Sequence, residues 1–464
     1  MTGGTTPSKP NSQVAAPSFN AGIPESQACR GSLNIDIRGS LAELVDAADS
    51  KSAGHWSWGF KSPGSHSSAV MGTYGRFPLA LTRGQGCWVE DDRGNRYLDA
   101  VAGIATCTLG HSDRAMRRAL HRQLKRLQHV SNLYEIPEQV ELASWLVHHS
   151  CADSVFFCNS GAEANEAAIK LARKHGHTVR GIERPAILTA RASFHGRTLA
   201  AVSATGQPRY HQGFEPMVEG FETFTYNDLA SFEALLNRLE AQGPKVAAVL
   251  IEPLQGEGGV NPGDKAVFRT IRQHCDARNI LLIFDEVQVG MGRCGTLWGY
   301  EKLGVEPDVL TLAKGLGGGH AIGALMVKHH ADHFVPGDHA STFGGNPFAC
   351  RAGLTVAREL QRRDLIQNAQ HRGEQLRDGL EALVQRHPRL LKNARGWGLL
   401  QGLVLHEDSG LTALEVVKSA IAHGLLLVPA GPQVVRMVPP LVIRPREIKT
   451  LLKRLDSTLQ ALEA

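Results

Sequence analysis

The sequence has no paired cysteines, no long apolar run and no block of charge of one sign. Its eight cysteines, Cys29, Cys87, Cys107, Cys151, Cys158, Cys275, Cys294 and Cys350, are scattered, and none stands in a C-x-x-C pair. Neither a disulfide framework nor a bound metal is therefore expected, and the usage fits the reducing cytoplasm. No stretch approaches the ~20 apolar residues that cross a bilayer. The longest, such as Leu425-Leu426-Leu427-Val428, have the length of core strands. Lys and Arg number 50 against 45 Asp and Glu, a net charge of +5 with signs mixed throughout. No basic run implies nucleic acid, and no membrane partner is expected. The N-terminus lacks the basic and apolar regions of a signal peptide. A transit peptide would be poor in acids, yet Glu25, Asp36, Glu43, Asp46 and Asp49 match the basic residues of that segment.

What is present is an ordinary globular composition, 42% hydrophobic and 20% charged, over 464 residues, enough for two domains. Residues 1–70 differ from the rest. They are rich in Ser, Gly, Ala and Pro, and the first twenty-five or so are expected to be disordered. Gly39 to His66 resembles the mistaken translation of a transfer-RNA gene, which makes Met71 the expected start. From Tyr74 the chain reads as ordered. An N-terminal segment (71–130) holds a hairpin over Cys87–Asp99 and a helix over Asp113–Leu127 with Met116, Leu120 and Leu124 in register. A large domain (131–350) begins with a helix over 136–149, burying Val140, Leu142 and Leu146. Strand and helix then alternate from 154 to 315, which argues an α/β domain around a mostly parallel sheet. A smaller α/β domain (351–464) ends in a helix over 445–463.

In such sheets ligands bind beyond the carboxyl ends of the strands. Asn159, Glu252, Asp285 and Lys314 all fall at those ends. Asn159-Ser160-Gly161-Ala162-Glu163 passes from strand to helix. Its free backbone amides suit a phosphate, although a plain capping box of Ser160 and Glu163 explains the same residues. Ile280–Phe284 delivers Asp285, and Asp308–Ala313 delivers Lys314. An acid and an amine on neighbouring buried strands suit pyridoxal phosphate, which needs a lysine for its Schiff base and a carboxylate for its ring nitrogen.

Seven blocks then identify a family. They are Asn-Ser-Gly-Ala-Glu-Ala-Asn-Glu (159–166), Phe-His-Gly-Arg-Thr (194–198), Glu-Pro-Leu-Gln-Gly-Glu-Gly-Gly (252–259), Asp-Glu-Val-Gln (285–288), Ala-Lys-Gly-Leu-Gly-Gly-Gly (313–319), Ser-Thr-Phe-Gly-Gly-Asn-Pro (341–347) and Arg-Gly-Trp-Gly-Leu (395–399). In this order they resemble the class III pyridoxal-phosphate aminotransferases of the acetylornithine and ornithine type, over about residues 72–463. The resemblance implies the fold type I of pyridoxal-phosphate transferases, with a seven-stranded sheet in the large domain. It implies Lys314 as Schiff-base lysine and proton carrier, and Asp285 on the ring nitrogen. Gly161 and Ala162 would bind the phosphate, Phe194 would stack on the ring, Gln288 would sit near the ring hydroxyl, and Glu286 and Val287 would also bind the cofactor. Thr342, with Ser341, would reach the phosphate or substrate from a second subunit, so a homodimer is expected. Arg197 would grip the substrate α-carboxylate. Arg395 would bind that of glutamate, with Glu257 neutralising Arg395 when the other substrate is bound. The implied reaction moves the δ-amino group of N2-acetylornithine to 2-oxoglutarate, a step of arginine biosynthesis. Ornithine, succinylornithine or 4-aminobutyrate are the alternatives within the fold, and a glutamate-1-semialdehyde-type aminomutase is a further one. Ala162, where relatives often have Thr or Ser, and His320-Ala321, where they often have an aromatic residue and Pro, depart from the pattern.

Overall fold

A computed structural model of the protein describes residues 70–463; the expectations for residues 1–69 lie outside them. The centre of the unit that begins at Gly72 is a seven-stranded sheet. Its strands run across the sheet in the order Ser154–Cys158, Gly323–Val327, Val309–Leu312, Leu281–Asp285, Val246–Ile251, Ala186–Ala190 and Phe221–Phe224. Gly323–Val327 is antiparallel to both neighbours and every other pairing is parallel. The central strands are buried along their whole length, as continuous runs such as Val-Ala-Ala-Val-Leu-Ile require.

Helices cover both faces. The helix Gly161–Thr178 lays Ala167, Ala168 and Leu171 on Ile187, Leu250, Ile283 and Val309. Small alanines let it lie close to the strands. The opposite face carries Phe268 and Ile271 of Lys265–Arg278, packed with Leu282, Phe284 and Leu310. Fully burying side chains of this size contributes roughly 1.5–3 kcal/mol each.

The C-terminal part is a second layer. Leu391–Trp397, Leu400–Leu405, Val434–Met437 and Val428–Pro429 form an antiparallel sheet in that order. Leu365–Arg386, Ala413–Ala422 and Pro445–Glu463 pack with it. The expected single strand over Leu425–Val428 is divided. Leu425–Leu426 joins the N-terminal strands Leu81–Gln85, Trp88–Asp91 and Arg96–Asp99, while Val428–Pro429 pairs with Val435 and Arg436. Leu124 and Val140, expected to face inward, are 49% and 56% exposed. Helical spacing locates a stripe but not its edges, and both residues lie at the margin of theirs. No helix among the described residues is long and apolar enough to cross a membrane.

Candidate active site

The parallel register brings Asp285 level with Thr311, so the chain leaving Val309–Leu312 carries Lys314 past the same edge of the sheet. Lys314 opens a 3-10 turn, Lys314–Leu316, and has φ +40, a left-handed conformation that a side chain rarely adopts. Its amine has no hydrogen-bond partner among the described residues. Its pKa is pushed down to about 8, first by loss of solvent and then by the charge of Arg436, against the pull of Glu257, Asp285 and Glu252. A lowered pKa is what a lysine needs to act as nucleophile and proton carrier near neutrality.

Asp285 is 4% exposed and fully engaged on one oxygen. Oδ2 accepts from Asn165 Nδ2 at 2.8 Å and from His195 Nδ1 at 2.8 Å. Oδ1 accepts from the Val287 amide at 3.0 Å and keeps a free lone pair. Glu252, two backbone amides on its carboxylate (Phe194 and Gly256), is pushed up to about 7, first by burial and further by Asp285, while His195 opposes the rise. Glu286 accepts from the amides of Gly299 and Tyr300 and is pushed up to about 8 by burial.

The helix Gly161–Thr178 begins beside this acid. Ser160 caps it by accepting from the Glu163 amide, and Glu163 reaches back past the cap to the amide of Asn159. The amides of Gly161 and Ala162 precede the first intrahelical bond and point out of the helix end. A Cβ on Gly161 would stand 2.8 Å from Val287 Cγ1, so only glycine lets this turn lie against the Asp285 loop.

Phe194 lies at the rim, its ring edge-on to Tyr210 with centroids 5.8 Å apart. Arg197 is exposed and its guanidinium lies over both rings, 4.1 Å from the Tyr210 centroid and 5.5 Å from that of Phe194. Gln288 accepts from Arg436 Nη1 at 2.9 Å. Ser341 Oγ accepts from Asn159 Nδ2 and from the Gly344 amide, and Asn132 ties the same loop through the carbonyls of Ser341 and Gly344. Thr342 beside it is exposed.

The structure does not bring Glu257 to Arg395. Glu257 pairs with Arg436, Oε2 to Nη2 at 2.8 Å, and Arg436 is fully buried. Arg395 instead directs Nε and Nη2 at the Gly259 carbonyl, at 3.1 and 2.8 Å, and burial lowers its pKa. Arg436 is inconspicuous in the sequence because Val434–Met437 sets it among apolar residues, as a core strand does. The available signal was the charge itself, since a buried arginine demands a counterion.

These residues fit pyridoxal phosphate at three separate points. A carboxylate oxygen with a spare lone pair faces the site, a helix N-terminus offers unpaired amides, and an unpaired lysine amine has a lowered pKa. No group of three or more His, Cys, Asp or Glu that could hold a metal occurs among the described residues.

Comparison with known proteins agrees. The model of the family "Aminotransferase class-III" matches residues 70–459. The chain is 74% identical over 419 residues to the acetylornithine aminotransferase of Parasynechococcus marenigrum (strain WH8102), which covers 90% of the chain and 100% of that relative. Among solved structures, N-acetylornithine aminotransferase from Stenotrophomonas maltophilia K279a superposes with a TM-score of 0.73 at 36% identity, over 84% of this chain and 97% of that one. The ornithine aminotransferase from Toxoplasma gondii, a structure with PLP in partial occupancy at its active site, gives 0.80 at 32% identity over 85% and 92%. The chain belongs to the class-III aminotransferases, enzymes that work with pyridoxal phosphate.

Proposed function

We propose that this protein transfers the δ-amino group of N2-acetylornithine to 2-oxoglutarate, giving N-acetylglutamate 5-semialdehyde and glutamate for arginine biosynthesis. The observation that carries the reading is the pair of arginines at different depths. Arg436 is buried, paired with Glu257, donates to Gln288 on the loop that follows Asp285, and is the leading charge acting on the Lys314 amine. Arg197 is exposed and stacked at the rim.

The two substrates differ in where they carry carboxylates. In acetylornithine the only carboxylate lies at the far end from the reacting δ-amine, within reach of a rim arginine. In glutamate one carboxylate is on the carbon next to the reacting nitrogen and the other is at the far end. Arg197 then holds the far carboxylate of either substrate by a planar two-bond fork. Arg436 takes the near carboxylate of glutamate once Glu257 lets go, and is covered by Glu257 when acetylornithine is bound. This gives Arg436 the role first expected of Arg395. The 74% identical relative named acetylornithine aminotransferase supports the same substrate.

Bound pyridoxal phosphate supplies the aldehyde that takes up the amine and the ring that withdraws electrons as the neighbouring carbon loses its proton. The residues of the chain do the rest. Gly161 and Ala162 would offer amides to the phosphate, Asp285 Oδ1 would take the ring nitrogen, Phe194 would cover the ring, and Gln288 would serve the ring hydroxyl. Lys314, as a free amine, would accept the proton lost by the amine-bearing carbon of the substrate and pass it to the cofactor side, so that the nitrogen stays behind with the cofactor.

A second copy of the chain completes the site, bringing Thr342 with Ser341 to the phosphate or substrate. Exposed Leu124, Leu127, Leu133, Tyr134 and Phe343 support such an interface. The rings of His129 and Phe343 meet at a tilt with centroids 5.0 Å apart, and the Phe348 amide donates to the Gln128 carbonyl, which joins the 127–134 and 341–348 segments into one patch. The working enzyme is a cytoplasmic homodimer. Each subunit has an N-terminal segment over 71–130, a cofactor domain over 131–350 and a small domain over 351–464.

The test is glutamate formation from 2-oxoglutarate with acetylornithine, ornithine, succinylornithine and 4-aminobutyrate side by side. Acetylornithine should give the highest kcat/KM. A preference for 4-aminobutyrate, whose carboxylate lies closer to the reacting amine than that of acetylornithine, would overturn the substrate assignment.

A further inference from the structure

The hydrogen bonds on Asp285 are unequal, and the inequality has a source in two separate parts of the chain. Asn165 lies one turn inside the helix whose N-terminus offers the phosphate amides. Its Nδ2 donates to Asp285 Oδ2 at 2.8 Å and to the His195 carbonyl at 2.7 Å. Two acceptors on one side leave no choice of amide orientation, because a flip would turn oxygen toward both. His195 follows Phe194 directly, its side chain is 0% exposed, and its Nδ1 stands 2.8 Å from the same Oδ2. Its backbone is held as well, the amide donating to Thr205 Oγ1 at 3.0 Å. His195 Nε2 has no partner among the described residues, so the ring donor is spent on Asp285.

We propose that Asn165 and His195 are positioning residues that saturate Oδ2 of Asp285 and so reserve Oδ1 for the ring nitrogen of the cofactor. A free carboxylate rotates and presents either oxygen. Here two side-chain donors on one oxygen and a single backbone donor on the other, the Val287 amide, stop that rotation. The arrangement also sets distances. One helix carries both the phosphate amides of Gly161 and Ala162 and the clamp residue Asn165. One dipeptide carries both the ring cover Phe194 and the clamp residue His195. The acid is thereby held in register with the two other surfaces that touch the cofactor, which is the preorganisation that an electron-withdrawing ring requires.

The inference rests on pyridoxal phosphate lying over Asp285, and the experiment separates the two claims. Affinity of the full-length apoenzyme is measured for pyridoxal 5'-phosphate and for the analogue whose ring nitrogen is replaced by C–H. The proteins are wild type, His195→Asn, His195→Leu and Asn165→Ala. Asparagine keeps a neutral donor near the Nδ1 position, and leucine keeps bulk without a donor. His195→Leu and Asn165→Ala should each lose about tenfold or more in affinity for pyridoxal phosphate, the effect of a lost bond to a charged group. Affinity for the nitrogen-free analogue should stay within about threefold. His195→Asn should stay close to wild type with both ligands. Equal losses for the two ligands, or equal losses for the asparagine and leucine variants, would overturn the clamp and leave only a packing role. No loss in any variant would overturn it too. If His195→Leu does not fold, Asn165→Ala carries the same comparison. Failure of the wild type to bind pyridoxal phosphate at all would undo the cofactor site itself, a different result from any of these.

Discussion

Replacing Arg436 or Glu257 should move the reactivity of Lys314 along the pH axis in opposite directions. The free amine is the form that bonds the cofactor aldehyde. With a pKa of about 8, roughly a tenth of Lys314 is free at pH 7. For an ordinary lysine near 10.4 the free fraction would be about one part in 2,500. Desolvation is the first cause, and substitution of neighbours leaves it in place. Arg436 is the next, and it lowers the pKa, while Glu257 raises it. Arg436→Met removes a repelling cation and uncovers the Glu257 carboxylate, so the pKa rises. Glu257→Gln removes the anion that covers Arg436, so the pKa falls. A charge at this range moves a neighbour by about one pH unit. The rate at which apoenzyme captures pyridoxal phosphate, followed by visible absorbance from pH 6 to 10, reads the amine directly. The wild-type rate should rise with pH and level off just above 8. The rising limb should shift up by about one unit in Arg436→Met and down in Glu257→Gln. A wild-type limb that keeps climbing to pH 10, or two variants that shift in the same direction, would refute the electrostatic account.

Three further outcomes are expected. Glu286→Ala leaves the amides of Gly299 and Tyr300 without acceptors, which should cost about 2 kcal/mol or more in apoenzyme stability, read by calorimetry. Glu286 has its folded pKa raised to about 8, so the fold holds the protonated form better. Its contribution is complete below about 4.5 and is lost as pH rises through 8, and Glu286→Gln should flatten the decline in Tm between pH 5 and 8. Gly161→Ala drives a methyl into Val287 and should cost about 1–3 kcal/mol, together with a weaker grip on pyridoxal phosphate in an apoenzyme titration. Arg197→Lys keeps the charge but loses the fork and the stacking on Tyr210, and should raise KM for acetylornithine about tenfold or more at nearly unchanged kcat.

The parts of this site visible in the sequence were those where chemistry coincides with a change of secondary structure. Asp285 and Lys314 end apolar runs, and parallel sheets place such ends together, so their proximity followed from pattern alone. Gly161 was visible through the cap at Ser160. The strand Leu391–Trp397 leaves no mark in the sequence, because Lys392, Asn393, Arg395 and Gly396 break any alternation and the pairing is irregular between Leu391 and Asn393. The sharing of Leu425–Val428 between two sheets was also invisible, since register across some 330 residues of intervening chain leaves no local mark.

The arginines show why a correct motif can still mislead about a partner. Arg395 and Arg436 lie on strands of the same antiparallel sheet, at Arg395↔Gly402 and Gly402↔Arg436, so Gly402 separates them on the middle strand. Either could answer to an acid on the 252–259 loop, and spacing in the sequence does not choose. Environment does. Arg436 is fully buried, and a charge there is tolerable only with a counterion. Arg395 is partly exposed and is satisfied by the Gly259 carbonyl. Glu257 goes to the arginine that cannot do without it. The same need makes the pair separable, because a substrate carboxylate meets it as well as Glu257 does, and Glu257, at 26% exposure, can turn to water when displaced. Arg436→Met should therefore weaken glutamate and 2-oxoglutarate far more than acetylornithine. Equal losses in kcat/KM for both halves of the reaction would show that Arg436 serves only to hold the fold.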